Sequence, residues 1–312
     1  CTNLAKRTPS FCKCGDLVRQ IIWADRGQVL NLDKLSEDGQ APVCIGASRL
    51  GTVQASAHAM TVWMQLRGSS WIESKEGKFR LHAGQWIAFE KESRPMIQCG
   101  REGLAIGLCL DADALRALSQ LADCAVYAGR GTINRSEARV ALRLWRKLAD
   151  SDGSALAMRP VLLHLASLQS ELGEVVQRCP GRSWLRKRQV FGRMQRARMY
   201  LEGNSHRVVR IGELAELTNF SSWYLSKTFQ SLYEESPQSL SARLRLERAA
   251  LLLRETDMMI GEVASASGFD NCCSFARAFR ARFGTSASRY RESLLADSAK
   301  PAGAWRKVAA FS

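Results

Sequence analysis

From Ile211 to Phe229 the sequence reads IGELAELTNFSSWYLSKTF. Apolar residues recur at helical spacing on both sides of Asn219, which predicts two short helices with one apolar face each. Asn tolerates the left-handed backbone that a tight turn between helices requires. Ser221 is a good N-cap for the second helix. The stretch therefore predicts a helix-turn-helix unit.

The same design returns 49 residues later, where residues 260–279 read IGEVASASGFDNCCSFARAF. Gly268 is predicted to form the turn, and either Asp270 or Asn271 to cap the following helix. Between the two units, Ser236 and Pro237 predict the start of a long helix that extends through Arg254, because Ser caps helices and Pro is tolerated at the first helical position. An internal repeat of this kind predicts two similar structural units in tandem, joined by a rigid helix.

The N-terminal part of the chain has a different pattern. From Val43 to Leu110, short alternating apolar segments are separated by turn residues such as Gly68, the Glu76-Gly77 pair and Gly84. Several short strands at this spacing predict a small β-barrel or sandwich. The fold class predicted for the whole chain is α+β: a small N-terminal β-barrel with a helical hairpin, then an all-α domain with two helix-turn-helix units.

Two amphipathic segments follow the strands. Residues 136–148 and 158–176 each carry one apolar stripe, which predicts a helical hairpin. The hairpin either packs onto the barrel or forms a dimer interface, because an apolar stripe does not identify its partner. The basic segment with Pro180 and Gly181 reads as a linker. The predicted domains are a flexible arm (1–19), a β-rich domain (20–110), the hairpin (111–178), the linker (179–189), a DNA-binding domain (190–296) and a tail (297–312).

The charge favours polyanionic partners. Lys and Arg outnumber Asp and Glu by 45 to 30, a formal net charge of +15, which points to nucleic acid or an anionic membrane. No apolar run reaches the roughly 18 residues that a membrane span needs, and residues 1–16 lack the apolar core of a signal peptide. We therefore expect a cytoplasmic protein without a membrane partner. Ten cysteines in 312 residues do not indicate a disulfide scaffold.

The C-terminal third resembles the AraC/XylS family of bacterial transcription regulators. The resemblance rests on spaced positions in both units: Glu213-Leu214-Ala215, Tyr224-Leu225-x-Lys227-x-Phe229, Ser236-Pro237, Gly268-Phe269-x-Asn271, Phe275-x-Arg277-x-Phe279, Phe283-Gly284-x-Ser286 and Tyr290-Arg291. Three positions depart from the family pattern and bear on turn geometry and base preference: Glu234 replaces a usual Gly, Cys273-Ser274 a usual Ser-Tyr, and Ala287 a usual Pro. Residues 81–89 are similar, more weakly, to the cupin-like sensor domain common in such regulators.

This resemblance implies double-stranded DNA as a partner, contact with RNA polymerase, more often activation than repression, and a possible homodimer. The second helix of each unit would enter the major groove, with the two grooves about one DNA turn, roughly 34 Å, apart. The positions expected to face DNA are Ser222, Trp223, Ser226, Lys227 and Gln230 in the first unit, and Cys272, Cys273, Ala276, Arg277 and Arg280 in the second. Arg277 is placed for a bidentate contact with guanine, and Arg280 and Arg282 for phosphates.

A small-molecule effector is expected in the barrel mouth, where Trp63, Trp71 and Trp86 are candidate lining residues; the alternative is that they fill the core. No cofactor or metal is expected, because His58 and His82 lie 24 residues apart without the other ligands a metal site needs. Two other functions stay open. One is a cupin-type enzyme with a DNA-binding tail, although no catalytic motif is present; we expect no enzyme. The other is a redox-sensing regulator using Cys12 and Cys14, or Cys272 and Cys273.

Overall fold

The structure is a computed structural model that describes residues 21–32, 44–55, 59–122, 125–151 and 154–298. The predicted arm at 1–19, Cys12, Cys14, His58 and residues 299–312 of the predicted tail lie outside the described residues. None of the helices in the described ranges combines the length and apolarity needed to span a bilayer.

The N-terminal half is built from strands. Their bounds are β1 Ile21–Ala24, β2 Val29–Asn31, β3 Cys44–Ser48, β4 Thr52–Gln54, β5 Met60–Arg67, β6 Ser69–Ser74, β7 Gly77–His82, β8 Gln85–Glu90, β9 Met96–Cys99, β10 Leu104–Leu110 and β11 Gly129–Thr132. They form one sheet in the order β1-β3-β10-β5-β8-β11 and another in the order β2-β4-β9-β6-β7. Two pairings, β1 with β3 and β2 with β4, are parallel. The predicted barrel is thus a barrel-like sandwich of two sheets that is not closed.

The six-stranded sheet is buried on both faces. Trp63, Ile87 and Phe89 point toward the five-stranded sheet and pack there with Phe79 and Ile72. On the opposite face, Val62, Met64 and Trp86 lie under helices. Alternate residues of a strand point to opposite faces, so Trp63 of β5 lies between the sheets while its neighbours Val62 and Met64 face the helices. The hydrophobic effect of these two layers holds the N-terminal domain together.

The helices of the described ranges follow in chain order. They are α1 Ala112–Ala122, α2 Arg135–Ala149, α3 Ala155–Leu168, α4 Ser170–Arg178, α5 Trp184–Gly203, α6 Ile211–Thr218, α7 Ser222–Tyr233, α8 Pro237–Glu255, α9 Ile260–Ala266, α10 Cys272–Phe283 and α11 Ala287–Ser298. Helices α2 and α3 cover the outer face of the six-stranded sheet with Trp145, Val161 and Leu165. The apolar stripes of the predicted hairpin therefore pack within the chain.

Three features of the middle segment differ from the sequence prediction. The predicted second helix of the hairpin, 158–176, is broken at Gln169, whose side chain accepts a hydrogen bond from the Tyr127 amide (2.8 Å) and donates one to the Tyr127 carbonyl (2.9 Å). A strand, β11, lies within the predicted hairpin and pairs with β8, so that β11 forms the edge of the six-stranded sheet. The predicted linker at 179–189 is also too long: α5 begins at Trp184, because Ser183 caps it by accepting from the Arg186 amide (3.2 Å).

Helix α5 joins the two halves of the molecule. Met199, on α5, is 2% exposed and packs into the cluster between the two sheets. Gly203 ends the helix against the β6–β7 turn, where a Cβ would lie 2.5 Å from the Glu76 carbonyl oxygen. The Asn204 side chain donates to that same carbonyl at 2.9 Å. The last two turns of α5 are therefore seated on the sandwich.

A buried carboxylate completes this contact. Glu76 is 1% exposed and accepts hydrogen bonds from the hydroxyls of Ser74 (3.0 Å) and Ser93 (3.0 Å) and from Arg196 Nε of α5 (3.2 Å). A buried charge is tolerated only when it is paired and hydrogen-bonded. A second ion pair, Arg80 with Glu255 at 2.8 Å, ties β7 to the end of α8. We call the contact of Glu76 and Gly77 with Arg196, Gly203 and Asn204 the docking contact.

Candidate nucleic-acid interface

The first helix-turn-helix unit is formed by α6 and α7. Asn219 adopts the left-handed conformation (φ 56°, ψ 41°) after α6, and the next amide, that of Phe220, bonds back to the Ala215 carbonyl at 3.2 Å. Ser221 caps α7 by accepting from the Tyr224 amide at 3.2 Å. The predicted turn and cap are confirmed. Both depend on residue types that are locally suited to the backbone they adopt.

The second unit, α9 and α10, repeats this geometry. Gly268 has φ 74°, and the Phe269 amide bonds to the Ala264 carbonyl at 3.0 Å, at the position equivalent to Phe220 and Ala215. Of the two predicted caps, Asn271 is the one used: its Oδ1 accepts from the Ser274 amide at 2.8 Å. The sequence repeat is therefore a repeat of hydrogen bonds as well as of side chains.

Equivalent glutamates hold the first helix of each unit. Glu213 accepts from the Arg210 amide (2.9 Å) and Glu262 from the Met259 amide (2.7 Å), so each satisfies a free N–H at a helix start. Glu213 also pairs with Arg207 through two hydrogen bonds, of 2.7 and 3.1 Å. The Arg207 guanidinium holds the pKa of the Glu213 carboxyl at about 2, below its ordinary 4.5.

This depressed pKa gives a stability that depends on pH. A carboxyl with a lowered folded-state pKa contributes stability above about pH 4.5, and the contribution is lost as pH falls toward 2. Glu213→Gln is expected to lower the free energy of unfolding at pH 6 by about 1 kcal/mol, because the pair is partly solvent-screened. The difference from the unmodified chain should shrink steadily between pH 4.5 and 2 in urea unfolding. Among the described residues Glu262 has no arginine within 4.0 Å, so Glu262→Gln serves as the control. An equally pH-dependent loss in that variant would contradict the role of Arg207.

One helix, α8, is shared by two separate cores. Its first half contributes Leu240 to a cluster with Phe191, Leu225 and Phe229. Its second half contributes Leu246, Ala249 and Leu253 to another cluster, with Val263, Phe275 and Phe279. At 1.5 Å per residue, its 19 residues span roughly 28 Å. The two units are thus connected by a continuous helix that is packed at both ends, as predicted.

The outer face of α7 carries the five residues predicted for the first unit. Ser222, Trp223, Lys227 and Gln230 are exposed and Ser226 is half-buried, while Leu225, Thr228, Phe229 and Leu232 form the buried face. Trp223 is 70% exposed, and the Lys227 ammonium lies 5.0 Å from its ring centroid. Trp223 and Lys227 thus present an aromatic face and a positive charge side by side to solvent.

The outer face of α10 carries the second set. Cys272, Cys273, Ala276, Arg277 and Arg280 are all exposed, whereas Phe275 and Phe279 are buried. Neither Arg277 nor Arg280 has an ion-pair partner within 4.0 Å among the described residues. Arg282, predicted as a phosphate contact, instead lies 3.4 Å from Glu247 of α8. The two sets of predicted residues therefore lie together on two solvent-facing helix surfaces; that they contact DNA stays a prediction.

The three tryptophans predicted to line an effector site do not share a cavity. Trp63 is 1% exposed and fills the space between the two sheets. Trp86 lies on the opposite face of its sheet, under the helices. Trp71 is 54% exposed on the outer face of the other sheet, with Arg80 5.6 Å from its ring centroid. The three side chains lie apart because the period-two alternation of strands sends neighbouring aromatic residues into different layers, and a role for any of them in effector binding stays a prediction.

The sequence analysis missed the residues of the docking contact. Glu76 reads as a hairpin-turn residue and Gly203 as a helix end, and neither signals a partner more than 100 positions away. In the described ranges no group of three or more His, Cys, Asp or Glu residues is close enough to hold a metal ion.

The geometry defines a tandem helix-turn-helix domain attached to a β-sandwich. A sequence model described as a helix-turn-helix domain matches residues 214–293. The chain is 34% identical over 135 residues to the HTH-type transcriptional regulator CdhR of Pseudomonas aeruginosa, a match that covers 38% of this chain and 40% of CdhR. It is 30% identical over 84 residues, or 27% of its own length, to the probable transcription factor PqrA of Proteus vulgaris, of which it covers 69%.

Among solved structures, a probable AraC family transcriptional regulator from Rhodopseudomonas palustris is 32% identical, with a TM-score of 0.31 over 33% of this chain and 96% of that one. The chain belongs to the AraC/XylS family of helix-turn-helix transcriptional regulators, as its match to the helix-turn-helix model and its coverage of PqrA show. It spans only two fifths of the length of CdhR.

Proposed function

We propose that the chain is a sequence-specific regulator of transcription that binds double-stranded DNA through α7 and α10. The observation that supports this most is the tandem of exposed helix faces, Ser222 to Gln230 and Cys272 to Arg280, on two units that share α8. A shared helix fixes the spacing of the two units, which suits a long asymmetric site read in successive major grooves. The net charge of +15 provides the sequence-independent attraction to phosphates.

The test begins with selection of preferred duplexes from a random library by the full chain. On the selected site, Arg277→Ala is expected to cost about 1–3 kcal/mol and to relax the preference at one base pair, because a bidentate arginine contact with guanine would be lost. Affinity is measured by fluorescence anisotropy on the selected duplex and on duplexes with single base changes.

Arg280→Ala is the matched control, with the same change of charge on the same helix face. It is expected to weaken all duplexes equally and to reduce the salt dependence by about one phosphate contact. Uniform weakening by Arg277→Ala would make Arg277 a phosphate contact instead. A selection that returns no preferred sequence would end the proposal of sequence-specific regulation.

We further propose that a small-molecule effector changes the affinity for DNA through the N-terminal domain. The support is mechanical: α5 is seated on the sandwich by Met199 and Gly203 and packs at the same time in the core of the first helix-turn-helix unit through Phe191 and Met194. A change at one end of this helix has a direct physical route to the other.

We also propose that the chain contacts RNA polymerase and that it forms a homodimer. The dimer would use the outer faces of α2 and α3, where Val140, Leu156 and Leu163 are 42%, 78% and 38% exposed. Apolar side chains exposed together favour association with another protein surface. Sedimentation velocity over a range of concentrations tests it, and a monomer throughout would remove this part.

Redox control through Cys272 and Cys273 is a second candidate. These two thiols are exposed, whereas the other described cysteines, Cys44, Cys99, Cys109 and Cys179, are buried. Burial raises the pKa of the Cys44 thiol to about 12, which disfavours the reactive thiolate. Peroxide is expected to modify Cys272 or Cys273 first and to weaken DNA binding, measured by mass spectrometry and anisotropy. Unchanged affinity after modification would remove this candidate.

A further inference from the structure

A cleft separates the sandwich from the first helix-turn-helix unit beside the docking contact. Its volume is about 310 Å³, and its walls come from three parts of the fold. They are Glu90 at the end of β8 with Glu92 in the turn after it, Arg193 and Arg196 of α5, and Thr218 and Asn219 at the turn between α6 and α7. This volume lies within the range of roughly 300–1,000 Å³ that is usual for small-ligand sites. The cleft is large enough for an organic molecule and touches the turn that positions α7.

The two carboxylates in the cleft are not engaged in ion pairs with the arginines that line it. Glu90 is half-buried, and neither it nor Glu92 has an ion-pair partner within 4.0 Å among the described residues. Arg196 is already bonded to the buried Glu76 at 3.2 Å, and the Arg193 guanidinium lies 5.1 Å over the Phe220 ring. Burial and the nearby Glu92 carboxylate raise the pKa of Glu90, and the Arg196 guanidinium offsets only part of that rise.

The fold does not require an acid at Glu90. It is the last residue of β8 and aligns with Met60 of β5 in a backbone pairing that any side chain would permit. A half-buried carboxylate without a partner costs free energy, and a bound cation would offset that cost. Two carboxylates flanked by two arginines are a poor set for a bare divalent ion, which prefers more oxygen ligands and no neighbouring cations. The space and the charge together favour an organic cation.

We propose that this cleft binds a small organic cation carrying an amine or guanidinium group, and that the ligand controls DNA affinity by bridging Glu90 and Glu92 to the Thr218–Asn219 turn. The coupling rests on the proposed function; the binding site does not. Ser221, two residues beyond Asn219, caps α7, so a ligand against this turn acts next to the start of the helix proposed to enter the groove. The exposed Arg193 at the same cleft offers a place for a carboxylate, if the ligand carries one.

The test uses the full chain and isothermal titration calorimetry without DNA. The probes are agmatine, which carries a guanidinium and an amine, and L-arginine, which adds a carboxylate; choline chloride at equal ionic strength controls for screening. Saturable binding of agmatine or L-arginine below roughly 10 mM is expected. Glu90→Gln should weaken it by about 10- to 100-fold, the loss expected for a hydrogen bond to a charged group. Tighter binding of L-arginine than of agmatine would assign the carboxylate to Arg193.

The control variant is Glu102→Gln, which removes the same charge from the exposed loop between β9 and β10 and should leave binding unchanged. A thermal melt of Glu90→Gln that matches the unmodified chain excludes misfolding as the cause; if it does not match, Glu92→Gln replaces it. No saturable binding of either probe, or binding that Glu90→Gln and Glu92→Gln leave intact, would overturn the site.

The coupling is measured separately, as the anisotropy-derived Kd for the selected duplex with and without saturating agmatine. A change of about threefold or more that disappears in Glu90→Gln supports it. An unchanged Kd with agmatine bound would overturn the coupling and leave the binding site standing. A chain that binds agmatine but no DNA would count against the proposed function alone.

Discussion

Gly268→Ala is expected to destabilise the second helix-turn-helix unit by about 3 kcal/mol, the largest single effect that the turn geometry predicts. Gly268 has φ 74°, where a Cβ is disfavoured by about 1–2 kcal/mol. The added Cβ would also lie 2.8 Å from Arg207 Cα and 2.9 Å from the His206 carbonyl oxygen, both backbone atoms that cannot rotate away. Overpacking of this kind costs a further 1–3 kcal/mol or so.

Gly284→Ala is the matched control. Gly284 also has φ 74°, at the end of α10, but apart from its chain neighbours no heavy atom of the described residues lies within 4 Å of its added Cβ. Its loss should be limited to the backbone term of about 1–2 kcal/mol. Amide hydrogen exchange in α9 and α10 measures both changes, because exchange reports local opening. Equal losses in the two variants would show that the contact with the 206–207 backbone has no energetic consequence.

Gly203→Ala is expected to separate α5 from the sandwich. The added Cβ would lie 2.5 Å from the Glu76 carbonyl oxygen, 2.9 Å from Gly77 Cα and 2.9 Å from Phe79 Cζ. Because the helix end must move, the hydrogen bonds of Glu76 with Arg196 and Asn204 are lost with it. The expected cost is about 3 kcal/mol, since a buried carboxylate then loses its arginine partner.

Differential scanning calorimetry measures this change: a single transition in the unmodified chain should become two, one for each domain. Gly173→Ala provides the control, because Gly173 is also helical and its Cβ would meet no other part of the described structure within 4 Å. That substitution should stabilise the chain by about 0.5–1 kcal/mol. A single transition in Gly203→Ala at the original temperature would contradict the importance of the docking contact.

The C-terminal domain could be predicted from the sequence because its determinants are local. Asn219, Ser221, Gly268 and Asn271 each act within four residues of their own position, through a backbone conformation or a cap. Each of these local signals occurs twice, once in each helix-turn-helix unit. Glu234, noted as a departure from the family pattern, keeps the left-handed geometry (φ 58°) that a glycine would adopt more readily. Glu234 is exposed, and its amide bonds to the Gln230 carbonyl at 2.9 Å, so the geometry of the helix end overrides the local preference at that position.

The rest could not be predicted because it depends on partners far away in the sequence. Gln169 interrupts a helical pattern in order to satisfy the backbone of Tyr127, 42 residues earlier. Met194 and Met199 give the same apolar signal in the sequence. Met199 nevertheless packs into the sandwich, whereas Met194 packs into the core of the first helix-turn-helix unit. The alternation along β5 and β8 predicted strands correctly but did not reveal that both faces of the sheet are covered.

The position of Met199 has a practical consequence for anyone who wishes to exchange modules within this family. In a hybrid that joins residues 184–298 to a different N-terminal domain, Met199 and the C-terminal end of α5 would lose the sandwich surface against which they pack. Such a hybrid would need a replacement acceptor surface, with a glycine where Gly77 now permits close approach. Hybrids joined between α4 and α5 are therefore expected to be poorly soluble, because they expose the apolar end of α5. Hybrids that also keep β6 and β7 should avoid this.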